Sequence, residues 1–221
     1  NQNLIKMKHA IMILLAMLFL FSCKKDENQP EPQPTPEEPA FNLALEVGNY
    51  WVYNHYRIDS GHIEVPMNRM DCTWVDRDTT INTFNYVILE NEGHLLNPGE
   101  NKIVRDSAGY LVNNSGEIFF SSTNFTDTLY RFTTYYPDET VLYVLTAKME
   151  KPDQAVEVDA GSFEALNFKS TITFTQDMGG GTTQYLNAYY ADSVGLVLDT
   201  YKMVSSSSYY ERRLVRFYVS E

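Results

Sequence analysis

The feature that most constrains this chain is a two-residue alternation of side chains, recurring from Phe41 onward and cut at short intervals by turn residues. Phe168, Ser170, Ile172 and Phe174 fall on one side of an extended segment, with Lys169, Thr171, Thr173 and Thr175 on the other. Successive side chains of a strand point to opposite faces, whereas a helix needs apolar residues every three or four positions. Val215, Phe217 and Val219 alternate in the same way with Leu214, Arg216 and Tyr218. From Val141 to Met149 both sides are apolar, which predicts a strand covered on both faces. Ser107-Ala108-Gly109, Asn113 to Gly116, the glycine-rich Asp177 to Thr182 and Ser193 to Gly195 separate these runs. Gly and Asn accept the positive φ that tight hairpins need. About ten to twelve strands joined mainly by hairpins are predicted. The fold class is all-β: an antiparallel meander forming one strongly curved sheet (an open half-barrel) or a two-layer sandwich. No internal repeat points to a propeller or solenoid.

The residues ahead of this domain carry an address. The first 22 contain no acidic residue; Lys6, Lys8 and His9 precede an apolar run of 12 residues, Ala10 to Phe21, with Met7 as the expected natural start. Crossing a bilayer core needs about 20 apolar residues, so the run reads as a signal peptide. Leu20-Phe21-Ser22-Cys23 resembles the bacterial lipobox. That resemblance implies cleavage before Cys23, a diacylglycerol on its sulfur and a further acyl chain, such as palmitate, on its new amino group. One acyl chain binds membranes marginally, and two or more anchor stably. Lys25, Asp26 and Glu27, one residue beyond the cysteine, resemble the export signal of Bacteroidetes-type surface lipoproteins. This implies display on the outer face of the outer membrane; a generic charged tether on a periplasm-facing protein is the alternative. Residues 24–40 hold five of the nine prolines. They favour extended polyproline geometry and can span on the order of 50 Å. The chain thus divides into a signal peptide (1–22), a lipidated Cys with a Pro-rich tether (23–40) and a single all-β domain (41–221).

Three segments of the domain, Val47 to Tyr53, Asp159 to Ala165 and Tyr189 to Val197, together resemble a broad group of uncharacterised Bacteroidetes lipoproteins. The Ala160-Gly161-Ser162-Phe163-Glu164 turn is also similar to one in the wider group that includes the lipoprotein carriers. That likeness implies a curved antiparallel half-barrel and brings no catalytic residue with it.

Charge and cysteine content narrow the partners. Without Lys6 and Lys8, 15 basic residues remain against 29 acidic ones, a formal charge of −14. This works against nucleic acid, whose phosphates need clustered Lys and Arg. It also works against adsorption of the domain on anionic lipid, so contact with the membrane is expected through the N-terminal lipid alone. Cys72 has no disulfide partner once Cys23 carries lipid, and it reads as a buried small hydrophobe.

Signals for chemistry are sparse. Beyond the signal only His55, His62 and His94 remain, with no zinc pattern. His55, Asp59 and His62 flank a Ser60-Gly61 turn and read as exposed hairpin residues. Asp76 to Thr80 begins like a calcium loop, but Ile81 and Val87 stand where such a loop needs Gly and Glu. There is no nucleophile elbow, the glycines at 179–181 lack the lysine of a phosphate loop, and Glu90 and Glu92 share one strand face. No catalytic residue, metal or cofactor is therefore predicted. Aromatics are the remaining signal: 16 tyrosines, among them the pairs Tyr135-Tyr136, Tyr189-Tyr190 and Tyr209-Tyr210. In each pair one ring faces inward and one outward, and outward rings can stack on sugars or meet a protein. The expectation is a non-catalytic surface module binding a glycan, peptide or partner protein. The alternatives are a periplasm-facing carrier or chaperone of a lipid or other apolar ligand, and a hydrolase with an unrecognised site. The oligomeric state stays open.

Overall fold

The computed structural model describes residues 41–92, 101–176, 182–203 and 206–220. Cys23, Lys25, Asp26 and Glu27, with the rest of the signal and tether, lie outside the described residues. So does most of the glycine-rich turn at 177–182.

The strands are β1 (Tyr50–Ile58), β2 (Glu64–Ile81), β3 (Phe84–Glu92), β4 (Lys102–Asp106), β5 (Tyr110–Asn113) and β6 (Ile118–Ser121). They continue as β7 (Tyr130–Tyr135), β8 (Val141–Glu150), β9 (Val156–Val158), β10 (Gly161–Phe163) and β11 (Ala165–Phe174). The last three are β12 (Thr183–Ala191), β13 (Gly195–Tyr201) and β14 (Tyr209–Tyr218). Twelve of them form one antiparallel sheet in the order β6-β5-β4-β3-β2-β1-β14-β13-β12-β11-β8-β7, and β9 and β10 make a separate hairpin. The single sheet resolves the choice left open between curved sheet and sandwich.

Chain connectivity forces the curvature. Laid flat, twelve strands would separate the two edges by on the order of 50 Å. Yet the edge strands β6 and β7 are joined by residues 122–129 alone, and eight extended residues reach only about 30 Å. The sheet therefore curls until its edges approach, nearly closing into a barrel. Phe120 on β6 is wholly buried and packs on Tyr190 of β12, with ring centroids 4.9 Å apart, and on Phe41 at 4.8 Å. Full burial of one such ring contributes about 1.5–3 kcal/mol.

Alternation holds along β11, where Phe168, Ile172 and Phe174 are buried and Thr173 is exposed. It fails in two places. On β14, Leu214 does not share a face with Arg216 and Tyr218. The β1–β14 register slips between Val52 and Tyr53, pairing Tyr53 with Leu214 and Trp51 with Phe217. The resulting bulge leaves Val215 as an extra residue and puts Leu214 and Phe217 on the same face as Trp51 and Tyr53. On β8, Ala147 and Met149 are buried, but 141–146 are only half-buried. That end pairs with the edge strand β7, beyond which no further strand extends the cover.

The three segments noted in the sequence are structural joints. Asn49, fully buried, donates to the Ala44 carbonyl at 2.9 Å and accepts from the Ser220 backbone N–H at 2.8 Å, tying both ends of the domain together. Trp51 Nε1 donates to the Val194 carbonyl at 2.5 Å. Gly195 sits at φ +90°, where an added Cβ would meet the Leu43 carbonyl and the Trp51 ring at 3.4 Å. Only glycine fits that combination of backbone angle and close approach. Asp159, at the β9–β10 turn, accepts from Asn54 at 3.1 Å and Tyr56 at 3.0 Å and pins the hairpin to β1.

Candidate functional site

Inside the curl lies a cavity of about 240 Å³, walled by strands from around the sheet: Trp51 and Tyr53 of β1, Leu89 of β3, Leu111 of β5, Phe168 of β11 and Tyr190 of β12. Apolar side chains dominate its wall, Thr73, Asn91, Lys102, Asp199 and Arg212 are its charged and polar members, and Arg212 connects it to a buried polar cluster. His55, on β1, is 1% exposed and Asp71, on β2, is 3% exposed. His55 Nε2 meets Asp71 Oδ2 at 2.6 Å, and its Nδ1 lies 2.8 Å from the Tyr201 hydroxyl. An ionised carboxylate can only accept, so the proton belongs on Nε2. Arg212, on β14, donates from Nε to both Asp71 oxygens at 3.0 and 2.9 Å and from Nη2 to Thr73 Oγ1 at 2.7 Å. Its Nη1 pairs more loosely with Asp199 at 3.6 Å. The guanidinium lies 3.6 Å from the centroid of the Tyr53 ring, a cation–π contact strengthened by desolvation.

Electrostatics follow from this geometry. Burial alone pushes the Asp71 carboxyl up, but hydrogen bonds from His55 and Arg212 and the Arg212 charge outweigh it and hold the group below its ordinary range. Arg212 pays the cost of burial and is still held more firmly protonated than usual by Asp199, Tyr53 and Asp71. The Tyr53 hydroxyl is pushed up by burial and donates to the Leu196 carbonyl at 2.9 Å. Tyr190 and Tyr201 are pushed up by burial and by Asp199. Asp199 Oδ1 is buried at the cavity and, among the described residues, has no hydrogen-bond partner.

A second concavity lies on the opposite face. A groove of about 680 Å³ runs between the Pro152–Glu157 segment and the outward side chains of β12–β14, including Tyr185, Tyr189, Tyr209 and Glu211. Tyr185 is 57% exposed, with Lys169 Nζ 5.1 Å from its ring centroid.

The predicted aromatics therefore part company. Tyr189 and Tyr209 line the outer groove, while Tyr190 lines the cavity and Tyr210 stacks on Tyr201 at 5.1 Å. One ring in and one ring out holds for both pairs. Tyr135 is exposed near the β7–β8 turn and Tyr136 accepts from Gln176 at 2.7 Å, away from both concavities. His62 is exposed as expected, but His55 is not a surface hairpin residue. It follows Trp51 and Tyr53 in alternation and enters the interior, where Asp71 and Tyr201 satisfy its ring. Cys72 is half-buried rather than buried, and burial pushes its thiol up. Among the described residues no group of three or more His, Cys, Asp or Glu is placed to hold a metal.

Sequence reasoning missed Asp71, Asp199, Tyr201 and Arg212 as members of one cluster. One signal was present: Arg212 stands two residues before Leu214, so a cation falls on the apolar face of an alternating strand.

An all-β sheet curled around a ligand-sized cavity is the class of architecture this chain adopts. No protein-family model matches the chain, and no curated protein does. Its fold is similar to that of a solved protein from Bacteroides fragilis NCTC 9343, provisionally described as exported and as having a YmcC-like fold. That match has a TM-score of 0.50 and 13% identity, and covers 81% of this chain and 99% of the other. A protein from Parabacteroides distasonis ATCC 8503, provisionally described as a lipoprotein, gives a TM-score of 0.48 at 13% identity over 82% of this chain and 100% of the other.

Proposed function

We propose that this chain is an exported, lipid-anchored, non-catalytic binding protein that holds a small apolar ligand inside its curled sheet. The cavity carries this reading. Its volume of about 240 Å³ exceeds the roughly 150 Å³ that accommodates benzene. It is lined mainly by apolar side chains with a few convergent polar ones, the usual make-up of a small-molecule site. Native mass spectrometry of residues 23–221 recovered from cells tests it. A co-purifying apolar mass is expected, and a clean apo mass together with no uptake of added aliphatic compounds would refute it.

Anchoring rests on Leu20 to Cys23, and display at the cell surface on Lys25, Asp26 and Glu27. Palmitate labelling should vanish with Cys23→Ala. Protease added to intact cells should shave the domain, and changing Lys25, Asp26 and Glu27 together to Ala should protect it. A hydrolase is disfavoured on direction of ionisation. The hydroxyl next to His55 belongs to Tyr201, which burial and Asp199 make harder to ionise, the opposite of an activated nucleophile.

The outer groove favours a second reading, binding of a glycan, peptide or partner protein. Tyr185, Tyr189 and Tyr209 offer ring faces beside Glu157 and Glu211. Replacing Tyr189 and Tyr209 by Ala should then abolish retention on a glycan array while leaving cavity binding intact.

A further inference from the structure

We propose that the cavity selects an apolar molecule ending in a hydrogen-bond donor, a hydroxyl or an ammonium, and discriminates against a carboxylate, with Asp199 as the selecting residue. This rests on the reading that the cavity holds a ligand, and it goes further by fixing which end of that ligand is recognised and how.

The inference comes from how the donors of Arg212 are distributed. Its Nε is engaged by both oxygens of Asp71, and its Nη2 by Thr73. What faces Asp199 is Nη1 at 3.6 Å, longer than a hydrogen bond. Asp199 Oδ1 is thus a buried acceptor without a donor among the described residues. A buried polar atom left unmatched costs on the order of 1–3 kcal/mol, which a bound donor would recover. An incoming hydroxyl or ammonium at this end of the cavity supplies that donor. An incoming carboxylate at this end would instead face the Asp199 carboxylate, beside an Arg212 already engaged by Asp71 and Thr73; the other cation of the wall, Lys102, stands on β4, five strands along the sheet from β13. Apart from Asn91 and Lys102 the remaining wall is mainly apolar, with Trp51, Leu89, Leu111 and Phe168 available to the ligand body.

The test uses residues 23–221 made without the signal, titrated calorimetrically at neutral pH with 1-octanol, octylammonium and octanoate. These three probes share one tail and differ only in the head. Octanol and octylammonium are expected to bind at least about tenfold more tightly than octanoate, a difference of about 1.4 kcal/mol. Asp199→Asn should raise octanoate affinity about tenfold while leaving octanol within about threefold; a gain in binding is not a symptom of misfolding. Equal affinity for all three probes, tightest binding of octanoate, or a ratio unmoved by Asp199→Asn would overturn the selection and leave the cavity reading standing. Binding of none of the three would overturn the cavity reading, and the selection with it. The wild-type ranking is decisive alone, so a variant that does not fold leaves the test intact.

Discussion

The molecule carries two Tyr-rich concavities separated by the thickness of one sheet, each beside an ion pair, and the two pairs are held very differently. Inside, Arg212 and Asp71 have side chains 5% and 0% exposed and meet at 2.9 Å, with every Asp71 contact drawn from a fixed strand. Outside, Lys169 and Glu150 meet at 3.0 Å with about a third of each side chain exposed. The distances are nearly the same, and the surroundings decide what each is worth. A charge removed from water must be matched by its partners, so losing one partner strands the other. A charge at the surface is rescued by water and screened by salt. The inner pair is consequently held by its partners without help from water, and the outer pair leans on solvent.

Five variants test that contrast, beginning with the most damaging. Arg212→Ala strands Asp71 and should cost about 3–5 kcal/mol in urea unfolding. Replacing Arg212 by Met and Asp71 by Leu together should cost less than Arg212→Ala alone, because the buried Asp71 charge goes with its partner. If the double variant is the worse one, the pair contributes net stability rather than merely needing its partner. Asn49→Ala comes next. It leaves the carbonyl of the buried Ala44 and the Ser220 N–H without their partner and should cost about 1–3 kcal/mol, read by the same unfolding curves.

The fourth is a pH effect. Asp71 has a folded-state pKa below its unfolded value, so its contribution is fully present above the unfolded pKa and is lost as pH falls through the folded one. Stability should therefore drop as pH falls below about 4. Asp71→Asn should flatten that acid limb while lowering stability at neutral pH. An acid limb unchanged by the substitution would show that Asp71 is not held ionised by its partners. The smallest effect belongs to the outside: Lys169→Ala should cost less than about 1 kcal/mol and less still at high salt. Glu150, whose pKa burial raises but the Lys169 and Lys148 contacts lower further, should add only a weak acid limb of the same sign.

Much of the fold was legible along the chain because a strand's pattern is local. The turns at 107–109, 113–116 and 193–195 fall where the sequence puts them, and the alternation of 168–174 needs no knowledge of its neighbours. The Tyr189-Tyr190 and Tyr209-Tyr210 pairs split across the sheet for the same reason. Local pattern failed at Leu214, where a bulge set by β1 shifts the phase by one residue. It failed again along 141–146, which lie one strand from the sheet's edge, between β11 and β7, and are only half-buried.

The sequence by itself determined strands, turns, an acidic surface and the expectation of a cleaved leader with a lipid-bearing Cys23, because each of these is written in neighbouring residues. The closure of the sheet, the cavity and the cluster were decided by the tertiary structure alone. His55 and Asp71 are 16 residues apart, and Asp71 and Arg212 are 141 apart. They meet because β14 returns to pair with β1, the strand that β2 also pairs with. Which inward-facing charge is fully hydrogen-bonded, and which, like Asp199 Oδ1, is left without a hydrogen bond among the described residues, depends on that long-range register and on the curl that takes water away.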